Sequence, residues 1–98
     1  MTKSRVTHLK AAYGLTVQQW DATFERQRGI CPLCLKVLHR PGNAEGKRAA
    51  AVDHDHRTKR VRGLVHWRCN RFLIGPHTLV TAERLVRYLA SPFDGRML

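Results

Sequence analysis

Two pairs of metal-type ligands constrain this chain more than any other feature. Cys31-x2-Cys34 and His66-x2-Cys69 each place two ligands at i and i+3, and 31 residues separate the pairs. Two such pairs are the usual way a small domain closes a tetrahedron around zinc. The set is Cys3His with no open position, so the ion it implies is structural. His39 is the alternative fourth ligand, but it has no partner at ligand spacing, whereas His66 pairs with Cys69. The chain between the pairs must fold back so that both meet at one point. Such an anchor matters here, because 98 residues make one domain at most and a chain of that size buries only about 60–65% of its unfolded surface. Structural zinc contributes on the order of 10 kcal/mol to small folds.

The stretch from Ala51 to Gly75 reads as strand, turn, strand and short helix. Ala51 to Asp55 is the first strand and Arg57 to Arg60 a polar turn. Val61 to Trp67 is the second strand, with Val61, Leu64 and Val65 as its apolar members. Arg68 to Ile74 is the helix, stopped by Gly75-Pro76. This order sets the end of the first strand against the first turn of the helix, which puts Asp53, His54 and Asn70 within reach of one point. Asp53 and Asn70 carry hard oxygen donors of the kind Mg²⁺ takes. His54 follows Asp53 in an extended strand, so it points to the opposite face. With a pKa near neutrality it can face a water and act as general base.

The flanks read as helices. Val6, Leu9 and Tyr13 recur at helical spacing over Lys3 to Tyr13, and Gly14 ends that helix. Thr16 and Gln19 form a capping box for the next, whose stripe of Val17, Trp20 and Phe24 reads as core and whose C-cap is Gly29. Leu35 to His39 is a short strand leaving the Cys31–Cys34 knuckle. Arg40 to Arg48 is a surface loop, either lying on a phosphate backbone or solvated. Thr78 to Ala90 is an amphipathic helix capped by Thr81 and ended by Ser91-Pro92, with Leu79, Ala82, Leu85, Val86 and Leu89 on one face. That face either packs on its own domain or pairs two chains. His8 and His77 read as ordinary surface residues. One domain over 1–98 is expected: a helical part over 3–29, the knuckle and strand–strand–helix core over 30–75, and the last helix within 76–92.

Charge points to the partner. The chain carries 18 Lys and Arg against 7 Asp and Glu, a formal net charge of +11, spread along its length rather than gathered in a tail. A domain this basic contacts a polyanion. Three cysteines are an odd number for a disulfide framework. No apolar run approaches the ~20 residues of a membrane span, and the N-terminus lacks an apolar signal core. A reducing, cytoplasmic setting is expected, with thiols used as ligands.

The motifs C-P-L-C, V-D-H-D-H, V-R-G-L and C-N-R-F-L-I-G, preceded by Y-G-L-T and R-Q-R-G, occur here in one order and spacing. Over roughly Leu9 to Leu89 the chain resembles the recombination endonuclease VII family, within the HNH or ββα-metal (His-Me finger) nucleases. One departure is His66, which stands where that family usually has the first cysteine of a second C-x-x-C. The resemblance implies an α+β fold, a zinc-stapled ββα core flanked by N-terminal helices and a C-terminal helix. It implies a DNA endonuclease, a hydrolase of phage or bacterial cells. Asp53 and Asn70 would hold one Mg²⁺ or Mn²⁺, and His54 would deprotonate the attacking water. The products would carry 5′-phosphate and 3′-hydroxyl ends. His56 follows the family's second histidine and either touches a phosphate or buttresses the hairpin. Arg57, Arg60, Arg62, Arg68 and Arg71 are candidate contacts to DNA. Branched and nicked DNA are among the substrates it admits. Resolving a junction would require a dimer, and a larger DNA-processing complex is also admitted. The rival reading is a zinc-finger module that binds nucleic acid without cutting it. Asp53, His54 and Asn70 together discriminate, because a pure binder does not need them.

Overall fold

The computed structural model describes residues 3–40 and 49–91, with side chains from His8 onward in the first stretch. The chain forms helix α1 (Lys3–Tyr13), helix α2 (Val17–Arg26), strands β1 (Ala50–His54) and β2 (Val61–His66), helix α3 (Trp67–Cys69) running on as a π-helical turn over Asn70–Ile74, and helix α4 (Leu79–Ala90). This is a small mixed fold of helices around a two-stranded antiparallel sheet.

The N-terminal helices follow the sequence closely. Gly14, at φ +67°, ends α1 and donates its N–H to Lys10 O at 2.9 Å. The capping box of α2 is reciprocal: Gln19 N–H donates to Thr16 Oγ1 and Thr16 N–H to Gln19 Oε1. Trp20 is 1% exposed and Phe24 stacks on it with centroids 5.4 Å apart, so this stripe is core. The C-terminus differs from the expectation that placed the cap at Gly29. Gln27 is the cap. Arg28 takes the left-handed conformation at φ +55°. The Arg28 N–H donates to Glu25 O and the Gly29 N–H to Phe24 O, the paired bonds of a Schellman ending. Gly29 follows one residue later at φ +63°, the left-handed region that favours glycine, and a Cβ there would lie 3.1 Å from the Phe24 ring.

The knuckle leaves no strand behind it. Cys31 N–H donates to Lys36 O and Leu35 N–H to Cys31 O, which wraps the backbone around the thiols and forces Leu35 to φ +65°. The expected strand over Leu35 to His39 is reduced to isolated bridges, Ile30 to Val37 and His39 to Ala49. Arg40 is not a free loop residue. Its guanidinium pairs with Asp21 and Glu25 at 2.8 Å each and lies 4.3 Å from the Phe24 ring centroid, covering the aromatic stripe of α2. The rest of the expected loop, 41–48, lies outside the described residues.

The hairpin is one residue shorter at each C-terminal end than expected. Asp55 belongs to the turn: its Oδ1 accepts the N–H groups of Arg57 and Thr58, and its own N–H donates to Arg60 O. Trp67 already belongs to α3. Register pairs Val52 with Leu64 and Asp53 with Gly63, then His54 with Val61. Arg62 is therefore an extra residue on β2, a β-bulge of the kind that re-aims a side chain.

Gln27 joins helix to sheet. Its Nε2 donates to Leu64 O at 2.8 Å and Ile30 O at 3.2 Å, while its Oε1 accepts the Leu64 N–H at 2.8 Å. It serves the outer edge of β2 as a third strand would. The buried cluster is small: Leu9, Trp20, Leu38, Val52, Leu64 and Val65, together with Cys31 and Cys69. Two of its eight members are thus metal-type ligands, so core and anchor are one structure.

After α3 the helix widens. Gly75 N–H reaches back five residues to Asn70 O at 2.8 Å. A Cβ on Gly75 would lie 2.6 Å from Arg71 O, so only glycine fits this turn. Thr78, rather than the expected Thr81, is the N-cap of α4, and Thr81 is its N3 partner. None of the α4 residues is buried. Leu79, Val80, Leu85, Val86, Tyr88 and Leu89 are 41–75% exposed. Packing of this stripe on its own domain, one of the two expected alternatives, does not occur among the described residues. Pro92 and the tail lie outside them.

Candidate metal centre and active-site cleft

The knuckle and the start of α3 bring Cys31, Cys34, His66 and Cys69 together, with their ligand atoms all within 4.8 Å of one another. His66 is positioned by a second contact. Its Nδ1 lies 3.2 Å from Cys34 Sγ, and its Nε2 lies 2.8 Å from Val37 O. An Nε2–H donated to that carbonyl leaves Nδ1 free as a ligand, the usual way a metal-binding imidazole is held. His39 is exposed and not in the group. Burial pushes the Cys31 thiol up, but backbone hydrogen bonds from Cys34, His66 and Leu33 outweigh it and bring it down to about 6. Cys69 is pushed up to about 11 by burial and by the neighbouring Cys34 and Cys31. Three cysteine sulfurs and an imidazole crowded together in this way are what a cation would hold. The donor set suits zinc: three soft sulfurs and an imidazole, with no place for a substrate.

The other side of α3 faces an open cleft of about 850 Å³. Asp53 and Arg62 from the sheet, Asp55, His56 and Arg57 from the turn, and Trp67, Asn70 and Arg71 from the helix line it. Its far wall is the start of α4 with His77, Thr78, Leu79 and Val80. The expected pair Asp53 and Asn70 thus shares one cavity. His54 is not among the lining residues. Its ring meets Tyr13 at 5.3 Å and His56 at 4.6 Å between centroids. Arg57, Arg62 and Arg71 line the cleft, whereas Arg60 and Arg68 are exposed outside it. His77, expected as an ordinary surface residue, is half-buried against Thr81 and forms part of the wall.

Asp53 is the one buried charged residue among the described residues, at 5% exposure. Both its oxygens are engaged by Arg62, Nε to Oδ2 at 2.8 Å and Nη2 to Oδ1 at 3.0 Å. A bidentate guanidinium makes a buried carboxylate tolerable. Charge count alone did not reveal this pairing, because the bulge that creates it is invisible in the residue order. Gln27 and Arg40 were missed for a similar reason: each acts on a partner far along the chain. Trp67 and Phe72 lie edge to face at 6.1 Å, with Arg71 5.7 Å from the Trp67 ring centroid, beside the same cleft.

These features define a class: a small α+β protein whose hairpin and following helix are held at a Cys3His centre and open onto an arginine-lined cleft. The chain belongs to the recombination endonuclease VII family, whose model matches residues 6–91. It is 36% identical over 89 residues to the Gene 59 protein of Mycobacterium phage D29, covering 88% of this chain and 50% of that one. It is 34% identical over 88 residues to the Gene 59 protein of Mycobacterium phage L5, with the same coverage. The chain therefore spans about half the length of these curated relatives. No solved structure matches it. No helix among the described residues is long and apolar enough to cross a membrane.

Proposed function

We propose that this chain is a metal-dependent DNA endonuclease domain, one unit over residues 1–98, built on an HNH-type ββα core formed by β1, β2 and α3. The observation that carries the reading is the cleft that Asp53 and Asn70 share with His56 and three arginines, in a chain of the endonuclease VII family. A divalent ion fits the donor set: Asp53 offers a carboxylate that already holds a cationic group, and Asn70 offers an amide oxygen. When bound, such an ion polarises the phosphoryl oxygen and stabilises charge on the leaving 3′ oxygen.

The chain's own residues do the rest. Asp53 and Asn70 would hold the ion, Mg²⁺ or Mn²⁺. Arg57 and Arg71 would grip the phosphates that flank the scissile bond. Of His54 at the end of β1 and His56 in the turn, the cleft supports His56 as the base that takes the proton from water, because it lines the cavity. His54, expected for that role from its place beside Asp53, packs against His56 and would orient it. The Cys3His centre would be structural zinc. Two copies joined through the exposed stripe of α4 would set two such clefts on opposed strands, which suits branched DNA. The phage relatives support action in the cytoplasm of an infected cell.

The test is supercoiled plasmid, and a four-way junction, incubated with zinc-loaded protein and Mg²⁺ or EDTA. Metal-dependent nicking is expected from the parent, severe loss with His56→Ala, and a smaller loss with His54→Ala. His56→Ala cutting as fast as the parent would remove His56 as base. A parent that holds zinc but cuts neither substrate would overturn the nuclease reading.

A further inference from the structure

We propose that Arg62 is the resident counter-cation of the metal site, and that its guanidinium leaves Asp53 when the divalent ion binds. The inference rests on the reading of Asp53 as a metal ligand and adds the group with which any ion must compete. Arg62 takes a lone pair on each oxygen of the carboxylate at 2.8 and 3.0 Å, so a divalent ion that coordinates Asp53 must compete with the fork and meet the like charge of the guanidinium. The two partners differ in freedom. The Asp53 side chain is 7% exposed and stands on a paired strand, whereas the Arg62 side chain is 47% exposed and sits on the bulge, outside the ladder. Exchange therefore needs only rotation of a long, half-exposed side chain and no backbone movement.

The arrangement has a physical purpose. A buried carboxylate without a partner is costly, and removal of one member of such a pair leaves the other uncompensated. Arg62 compensates the buried carboxylate and holds it in place for the ion. Arg62 already lines the cleft, so once released its guanidinium would find a phosphodiester oxygen there as its natural new partner. Ion and phosphate then favour each other: each stabilises the state in which Arg62 has left Asp53, and the coupling is reciprocal.

The experiment measures Mn²⁺ binding to zinc-loaded protein by the loss of the free-ion paramagnetic signal, without DNA. Arg62→Ala is expected to bind Mn²⁺ roughly tenfold or more tightly than the parent, the order expected for loss of competing hydrogen bonds to a charged group. Arg62→Lys, with a point charge in place of a fork, should fall between. Asp53→Asn should bind far more weakly than any of them. In the unaltered protein, the Arg62 Nε–H resonance should shift and lose protection as Mg²⁺ is added, while that of Arg40, paired with Asp21 and Glu25, stays put. This titration decides the matter even if Arg62→Ala does not fold. Equal or weaker binding by Arg62→Ala, or an Arg62 signal unmoved at saturation, overturns the exchange while leaving Asp53 as ligand. Asp53→Asn binding like the parent overturns both.

Discussion

Replacing Gln27 with alanine tests how the fold treats the open edge of its sheet. The Leu64 residue is 0% exposed, and its N–H and C=O both depend on the Gln27 carboxamide. An unpaired buried backbone group costs about 1–3 kcal/mol, so two lost partners cost roughly 2–6 kcal/mol if nothing replaces them. Water can replace part of this. A shallow cleft lined by Thr23, Arg26, Val61 and Gly63 reaches the same spot. A loss of about 2–3 kcal/mol is expected on that ground, a large share of the stability of any small domain. By the usual scaling it lowers Tm by about 8–24 °C. Urea unfolding of zinc-loaded protein should show the midpoint falling with an unchanged slope. Gln27→Met, which keeps the volume and loses the bonds, should cost as much. A loss under about 1 kcal/mol in both would mean that water serves Leu64 as well as the amide does, and the third-strand role would be wrong.

Chelation of the Cys3His centre should unfold the chain rather than loosen one loop, because zinc supplies on the order of 10 kcal/mol and two ligands lie in the core; circular dichroism that survives a zinc chelator would refute this. Leu35→Gly should stabilise by about 1 kcal/mol, since the residue sits at φ +65° and glycine takes that conformation freely; a fall in the urea midpoint would show that the exposed leucine has a packing role. Hydrogen bonds from the Thr58 and Arg57 N–H groups hold the Asp55 carboxyl below its ordinary value of 3.8. Its contribution to stability is therefore present above that value and is lost as pH falls through the lowered one. Asp55→Asn, which keeps an oxygen acceptor but cannot ionise, should flatten that part of the acid limb of stability; an unchanged limb would assign it to other carboxylates.

The helices, the hairpin and the ligand set were legible because each is a local pattern. Thr16 with Gln19, and Cys31 with Cys34, signal within one turn. The pairing of His66 with Cys69 at ligand spacing was enough to choose it over His39. Boundaries failed where a side chain competes for the backbone: Asp55 takes two N–H groups and ends β1 early, and Thr78 rather than Thr81 caps α4. Non-local partners were illegible. Nothing near Gln27 announces Leu64, and nothing near Arg40 announces α2. In the cleft, residue type located Asp53 and Asn70, but which histidine shares it with them depends on how the turn begins. Periodicity found the apolar stripe of α4 without showing whether anything covers it.

The bulge at Arg62 also bears on inheritance. This residue stands outside the pairing count of the hairpin. If it were deleted, His54–Val61 and Asp53–Gly63 would become adjacent rungs, and no other pair would change register. A slip elsewhere in β2 would instead turn every following side chain to the wrong face. One codon at this point can therefore enter or leave a lineage while the strands keep their partners. The guanidinium beside Asp53 is thus separable from the pairing of the strands by a single deletion, but its loss would leave the buried Asp53 carboxylate without its partner.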